Sequence, residues 1–140
     1  MLFRSGSTSG ELNVLRNLPN YHYVEAPTTT CKFVFQMDDQ EKMEYSQHVR
    51  QHFADTVEAV KKYHAKLLVM DEVLDAVAMG MLSDEALAEF LRNRPEDLEV
   101  VMTGRAPTPC TDPLADYITR MQKVRHPFDK GLNARLGVEF

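Results

Sequence analysis

The stretch Lys66–Val77, KLLVMDEVLDAV, decides how this chain is read. Leu67 to Met70 are apolar without alternation, and Val73 lies just beyond the acidic pair Asp71-Glu72. An unbroken apolar run of that length predicts a strand covered on both faces, as in a parallel sheet. Burying an unpaired carboxylate is too costly for the acidic pair to continue such a strand inside the core. Asp71 and Glu72 are therefore expected at the strand's carboxyl end, where open α/β sheets bind ligands. An apolar strand ending in Asp-Glu is also the Walker B arrangement, in which an acid holds Mg²⁺ beside phosphate oxygens. The alternative is an ordinary buried strand that meets a helix whose N-terminal dipole favours acids.

The segments on either side carry the same alternation of strand and helix. Upstream, Asp39–Tyr63 has a helical pattern, with Val49, Phe53, Val57 and Val60 marking one buried face. His48 and His52 stand four apart on it, but no acid lies between them in the H-E-x-x-H manner, so a solvated face is expected. Downstream, Ser83 with Asp84 and Glu85 predicts a capped helix to about Asn93, closed by Pro95. Leu98–Met102 reads as a second apolar strand, running into Thr103-Gly104-Arg105, and Asp112-Pro113 as an N-cap followed by proline. Strands alternating with helices imply a parallel α/β sheet in a single domain, residues 1–140.

The ends are less regular. Met1-Leu2-Phe3 reads as the tail of a strand, followed by the loop Ser5–Gly10. Thr8 and Glu11 fit a capping box for a short helix with Leu12, Leu15 and Leu18 on one side, ended by Pro19-Asn20. Tyr21–Glu25 reads as a strand, and so does the second half of Tyr117–Val124.

Composition narrows the partners. Hydrophobic content of 44% and 26% charged residues are globular values, and 140 residues suffice for a real core. A net charge of −5 argues against broad phosphate-backbone binding, so no nucleic-acid partner is expected. No apolar run approaches the roughly 18 residues of a membrane span, and no signal-peptide core is present. Cys31 and Cys110 are too few for a metal set or a disulfide framework, which makes a reducing, cytoplasmic setting the default.

Three motifs together resemble the P-loop type of ATP:corrinoid adenosyltransferases. They are LLVMDEV at Leu67–Val73, VVMTGR at Val100–Arg105, and VRHPFDKGLNARLGVEF at Val124–Phe140. The last is the most specific, matched by Arg125, His126, Phe128, Asp129, Gly131, Ala134, Gly137, Val138, Glu139 and Phe140. Gly10-Glu11 resembles the Gly-Glu that follows the family's second strand. The resemblance implies a RecA-like P-loop NTPase-type parallel sheet flanked by helices. It implies transfer of the 5′-deoxyadenosyl group of ATP to the reduced cobalt of a corrinoid, with Mg²⁺ and a homodimer.

Site residues follow from the same resemblance. Asp71 and Glu72 are the expected metal ligands. Arg105 is placed after a strand end, where its guanidinium could meet triphosphate charge or form a surface ion pair. Glu11, His126, Asp129 and Lys130 are carried over as cofactor-binding positions; capping or dimer contacts are equally open for the last three. Phe33 and Phe35 stand where the family has an aromatic segment that removes the lower axial ligand of cobalt, with phenylalanine in place of tryptophan at Phe35. Both could instead be core residues.

The sequence departs from the pattern in one place. It contains no G-x-x-x-x-G-K-[ST], so the loop that cradles phosphates, its lysine and its Mg²⁺-binding hydroxyl are missing. On the resemblance, the chain begins inside the family's second strand, N-terminally truncated. Three expectations follow: a polypeptide nearly inactive alone, little affinity for ATP, and two apolar strands, Leu67–Met70 and Leu98–Met102, lacking a neighbour between or beside them. The last implies dimerisation, aggregation or a rearranged sheet. The alternative reading is a non-catalytic corrinoid-binding or dimer-partner module.

Overall fold

A computed structural model describes residues 10–25, 34–133 and 135. These fall into two compact units: residues 24–25 with 34–115, and residues 10–23 with 116–133 and 135.

The first unit is built around a long helix and a parallel strand pair. Helix α2, Asp39–Tyr63, starts where Asp38 accepts from the Glu41 backbone N–H while the Glu41 side chain accepts from the Asp38 N–H. That reciprocal pair satisfies two donors left over at any helix start. The helix ends at His64, in the left-handed conformation, whose N–H reaches the carbonyls of Val60 and Lys61. Val49, Phe53 and Val60 are buried, as their spacing predicts. His52 is buried too, at 2% exposure, whereas His48 is exposed. The two histidines therefore do not share a solvated face. At 3.6 residues per turn His52 falls beside Phe53 and Thr56 and follows them into the core.

Strand β1, Leu67–Met70, pairs in parallel with β2, Glu99–Met102, in the register Leu67↔Glu99 to Met70↔Met102. Between them the chain forms α3, Val73–Ala78, and α4, Asp84–Arg92, which make the crossover that parallel strands require. The sheet's inner face, with Leu68 and Met70, packs on Val73, Leu74, Leu87 and Leu91 from those helices and on Phe53 from α2. Phe53 meets Phe90 edge to face, with ring centroids 5.9 Å apart.

Two expectations about the sheet need correction. Its strands do not await a missing neighbour between them; they pair directly with each other. Nor are both faces covered. Leu67, Val69 and Val101 are 59%, 42% and 46% exposed, on the side opposite Leu68 and Met70. An apolar run reports that a strand can be covered twice, not that this chain's described residues cover it.

Helix α4 carries a connected polar cluster. Ser83 caps it by accepting from the Ala86 N–H. Asp84, in its first turn, accepts from the hydroxyl of Thr108 and from the backbone N–H of Cys110, at 3.1 Å for the latter. Thr108 and Thr111, both buried, share a hydroxyl contact of 2.6 Å. The Cys110 thiol donates to Glu85, which also pairs with Arg92 at 2.8 Å. Hydrogen bonding to Asp84 foremost, then burial and Glu85, pushes the Cys110 thiol up to about 11. The 3-10 turn that follows, Asp112–Leu114, has Thr111 rather than Asp112 at its N-cap position, without a side-chain capping bond. The hydroxyl clasp with Thr108 sets the entry one residue earlier than the Asp-Pro pair suggests.

The second unit contains α1, Gly10–Leu15, shorter than the leucine spacing implied. Leu12 is buried but Leu18 is half exposed, beyond the helix end. Tyr21–Glu25 is not a strand. Tyrosine and valine favour strands through packing against neighbours, and here the Tyr23 ring instead lies under the Arg16 guanidinium, 5.4 Å from its centroid. The segment 117–124 is not a strand either; Tyr117, Met121 and Val124 are exposed. A further 3-10 turn, Pro127–Lys130, closes at Gly131. The expected strand at residues 1–3, the loop before Gly10 and the Thr8 half of the capping box lie outside the described residues.

The Asp84 clasp makes stability pH-dependent. Burial raises the Asp84 pKa, but the hydrogen bonds from Thr108 and Cys110 outweigh it and hold the carboxyl below its ordinary value. A depressed folded pKa gives a contribution that is complete above about pH 4 and is lost as pH falls through the lowered folded value. Thermal unfolding followed by circular dichroism between pH 7 and 3 should show this loss. Asp84→Asn should remove part of the acid-dependent slope and lower stability at neutral pH.

Candidate functional site

The parallel register places the carboxyl ends of β1 and β2 side by side, so Asp71 follows Met70 where Thr103 follows its partner Met102. The Thr103 N–H donates to the Met70 carbonyl at 3.1 Å, extending the ladder by one bond. The Thr103 hydroxyl then does two things. It donates to Asp71 Oδ1 at 2.6 Å and accepts from the Glu72 backbone N–H at 2.8 Å.

Glu72 sits at φ 59°, ψ 18°, the left-handed region, directly before α3. A non-glycine residue there costs on the order of 1–3 kcal/mol unless its surroundings hold it. Thr103 is part of that hold. The Glu72 side chain makes no capping bond to the helix that follows, so its carboxylate is not spent on α3. Glu72 is thus the N-cap residue of α3 without a side-chain capping bond, and the acidic pair directly follows the strand's last residue, Met70.

The turn after β2 is locked onto α3 by close approach. The Leu74 N–H donates to the Thr103 carbonyl at 3.3 Å, and the Arg105 N–H to Asp75 Oδ1 at 3.0 Å. Gly104 lies between them, and a Cβ there would come within 2.6 Å of Leu74 Cβ. The Arg105 backbone is thereby fixed, while its exposed guanidinium makes no hydrogen bond or ion pair among the described residues. Tyr45 of α2 feels the charge of Glu72. Burial first, then the negative charge of Glu72, raises its phenol above the ordinary value.

Asp71 Oδ2 and the Glu72 carboxylate accept nothing from the described residues. Two carboxylates are hard oxygen donors of the kind Mg²⁺ takes, with its remaining positions left to water and phosphate oxygens. No cluster of three or more metal-ligating side chains exists among the described residues, so this end of the sheet is no self-sufficient metal cage. The donor set fits a divalent cation that keeps water in its remaining positions.

The other sequence-derived positions lie on other elements. Phe35 lies in the 3-10 turn Val34–Gln36, whose Val34 packs on the core; Phe33 is outside the described residues. Glu11 is on α1, in the second unit. There His126 caps the turn Pro127–Lys130, its ring Nδ1 accepting from the Phe128 N–H at 3.1 Å, and Asp129 pairs with Lys123 at 2.7 Å. Lys130 is exposed at the end of that turn. Sequence reasoning missed Thr103 and Tyr45. A hydroxyl one residue past β2, opposite the first acid past β1, was the available signal for the former.

Residues 2–140 match the family described as ATP:corrinoid adenosyltransferase BtuR/CobO/CobP. The chain belongs to the ATP:corrinoid adenosyltransferase family. Among its relatives, a corrinoid adenosyltransferase of Escherichia coli is 28% identical over 130 residues, 89% of this chain and 63% of that protein. Corrinoid adenosyltransferase CobA of Salmonella typhimurium gives the same identity and coverage. A corrinoid adenosyltransferase of Pseudomonas aeruginosa is 38% identical over 74 residues, 53% of this chain and 36% of that one. The chain thus spans less than two thirds of these relatives' length. Its α/β architecture and parallel strand pair are compatible with the resemblance read from the sequence, and no described helix is long and apolar enough to cross a membrane.

The Gly104 contact yields a test of the site's framework. Gly104→Ala should separate the turn from α3 and lower stability by about 2 kcal/mol, the usual scale of an overpacked contact. Urea unfolding would measure it, and a change below about 0.5 kcal/mol would show that Leu74 yields without cost.

Proposed function

We propose that this chain supplies the acidic, cobalt-facing part of an enzyme that transfers the 5′-deoxyadenosyl group of ATP to a reduced corrinoid. The observation that carries the reading is the acidic pair at the carboxyl end of β1, uncommitted to helix capping, in a chain of this family. In the reaction a bond forms between cobalt and C5′ as the C5′–O bond breaks, and triphosphate leaves with the electron pair. Mg²⁺ bound by Asp71 and Glu72 would offset the charge growing on that leaving group. Arg105 would meet the same charge through a guanidinium that its fixed backbone presents to solvent. Phe33 and Phe35 would form the apolar wall that excludes water and disfavours a lower axial ligand on cobalt. Glu11, His126, Asp129 and Lys130 would serve substrate binding, as the family resemblance implies.

The sequence supplies no G-x-x-x-x-G-K-[ST], so in this reading the phosphate cradle is contributed from outside these 140 residues. A RecA-like sheet, a homodimer and a cytoplasmic setting belong to the same proposal. The experiment uses a chimera completed to full length with the unmatched sequence of the Escherichia coli relative. Adenosylation should appear in the chimera and be at least about 100-fold weaker in the 140-residue chain, the scale of losing even one preorganised donor. Equal rates would place a phosphate site within these residues.

Two substitutions in that chimera refine the roles. Glu72→Gln should lower turnover by at least about tenfold with little change in corrinoid affinity, because the metal serves the leaving group. Unchanged turnover at saturating Mg²⁺ removes Glu72 from the site. Phe35→Ala should impair reaction with cobalamin more than with a corrinoid lacking a lower base, and equal losses would make Phe35 a packing residue.

A further inference from the structure

We propose that Thr103 is the positioning residue of the acidic pair, setting the Asp71 carboxylate and the Glu72 backbone together for a divalent cation. The inference rests on the metal reading of Asp71 and Glu72 given above. It concerns a residue that contacts neither the cation nor the substrate and acts through the two that do.

The geometry has three parts. First, one hydroxyl serves both acids: it donates to Asp71 Oδ1 at 2.6 Å while accepting from the Glu72 N–H at 2.8 Å. With its single proton committed to Asp71, the hydroxyl must present a lone pair to Glu72, so the two bonds orient each other. Second, Asp71 is bonded through Oδ1 only among the described residues, which directs Oδ2 away from the ladder. Third, the Glu72 N–H is the group that the left-handed φ of 59° turns toward β2. Losing its acceptor would let Glu72 relax to an ordinary backbone conformation and swing its carboxylate away from Asp71. Thr103 itself is held on both sides, by its N–H on Met70 and by the Leu74 N–H on its carbonyl. The hydroxyl is therefore placed by the sheet and by α3, independently of any ligand.

Groups in this position orient metal ligands, and their removal typically costs 10- to 100-fold in metal affinity. Serine preserves the donor and acceptor; valine keeps the shape and removes both; alanine removes both together with the γ-methyl.

The test is Mn²⁺ titration of the full 140-residue chain, read by the loss of free-ion electron paramagnetic resonance signal. Amide hydrogen exchange at Glu72 is measured in parallel. Thr103→Val should weaken Mn²⁺ binding by about 10-fold or more and accelerate Glu72 exchange, while Thr103→Ser stays within about twofold of the parent. If Thr103→Val does not fold, Thr103→Ala carries the same expectation. Faster Glu72 exchange with unchanged Mn²⁺ affinity would overturn the proposal and leave Thr103 a structural tie. Weakened binding in Thr103→Ser equal to that in Thr103→Val would overturn it too, since the hydroxyl would then not be the cause. A parent chain that takes up no Mn²⁺, indistinguishable from Asp71→Asn, would instead remove the metal reading itself, and the proposal with it.

Discussion

Parallel pairing of β1 with β2, in the register that sets Met70 beside Met102, determines nearly everything that happens at the acidic end of this protein. A shift by one residue would reverse which side chains face the core and would carry Thr103 away from Asp71. The register is fixed from the inner face, where Met70 is wholly buried and Leu68 nearly so, and the outer face contributes little to it. At the far end, the Glu99 N–H bonds the Lys66 carbonyl and the Lys66 ammonium pairs with Asp97, so both ends of the short ladder are tied.

From that register a division of labour follows along α3 and α4. Helix α3 is only six residues long and contributes its first turn to the site, through Leu74 and Asp75. Helix α4 contributes nothing to the acidic end. It closes the core with Leu87, Ala88 and Leu91 and uses its first turn to anchor the loop after β2. The loop that starts at Thr103 is therefore held twice, by α3 at residues 103–105 and by α4 at residues 108–111. A strained Glu72 can persist because both attachments are made by elements that the core already positions.

Much of this arrangement was legible beforehand, for a physical reason. The helix at Asp39–Tyr63, the strands at Leu67–Met70 and Glu99–Met102 and the cap at Ser83 are local patterns whose periodicity and capping chemistry agree with the tertiary structure. What was not legible depends on neighbours. Tyr21–Glu25 and the second half of 117–124 have strand-like residues without becoming strands, because a strand needs a partner and composition does not supply one. The burial of His52 and the exposure of Val69 are likewise properties of what packs against them. At the site, Asp71 and Glu72 could be placed from the sequence since charge cannot continue a buried run. Thr103 could not, because its role exists only once two strands 32 residues apart are in register.

The cluster at the start of α4 has a consequence for redox behaviour. Only the thiolate of a cysteine coordinates metals or attacks oxidants, and Cys110, with its proton held between Asp84 and Glu85, forms that species only far above neutral pH. The thiol is thereby kept silent. The two carboxylates that anchor the loop also disfavour the thiolate, so one local arrangement secures the fold and lowers the reactivity of its sulfur.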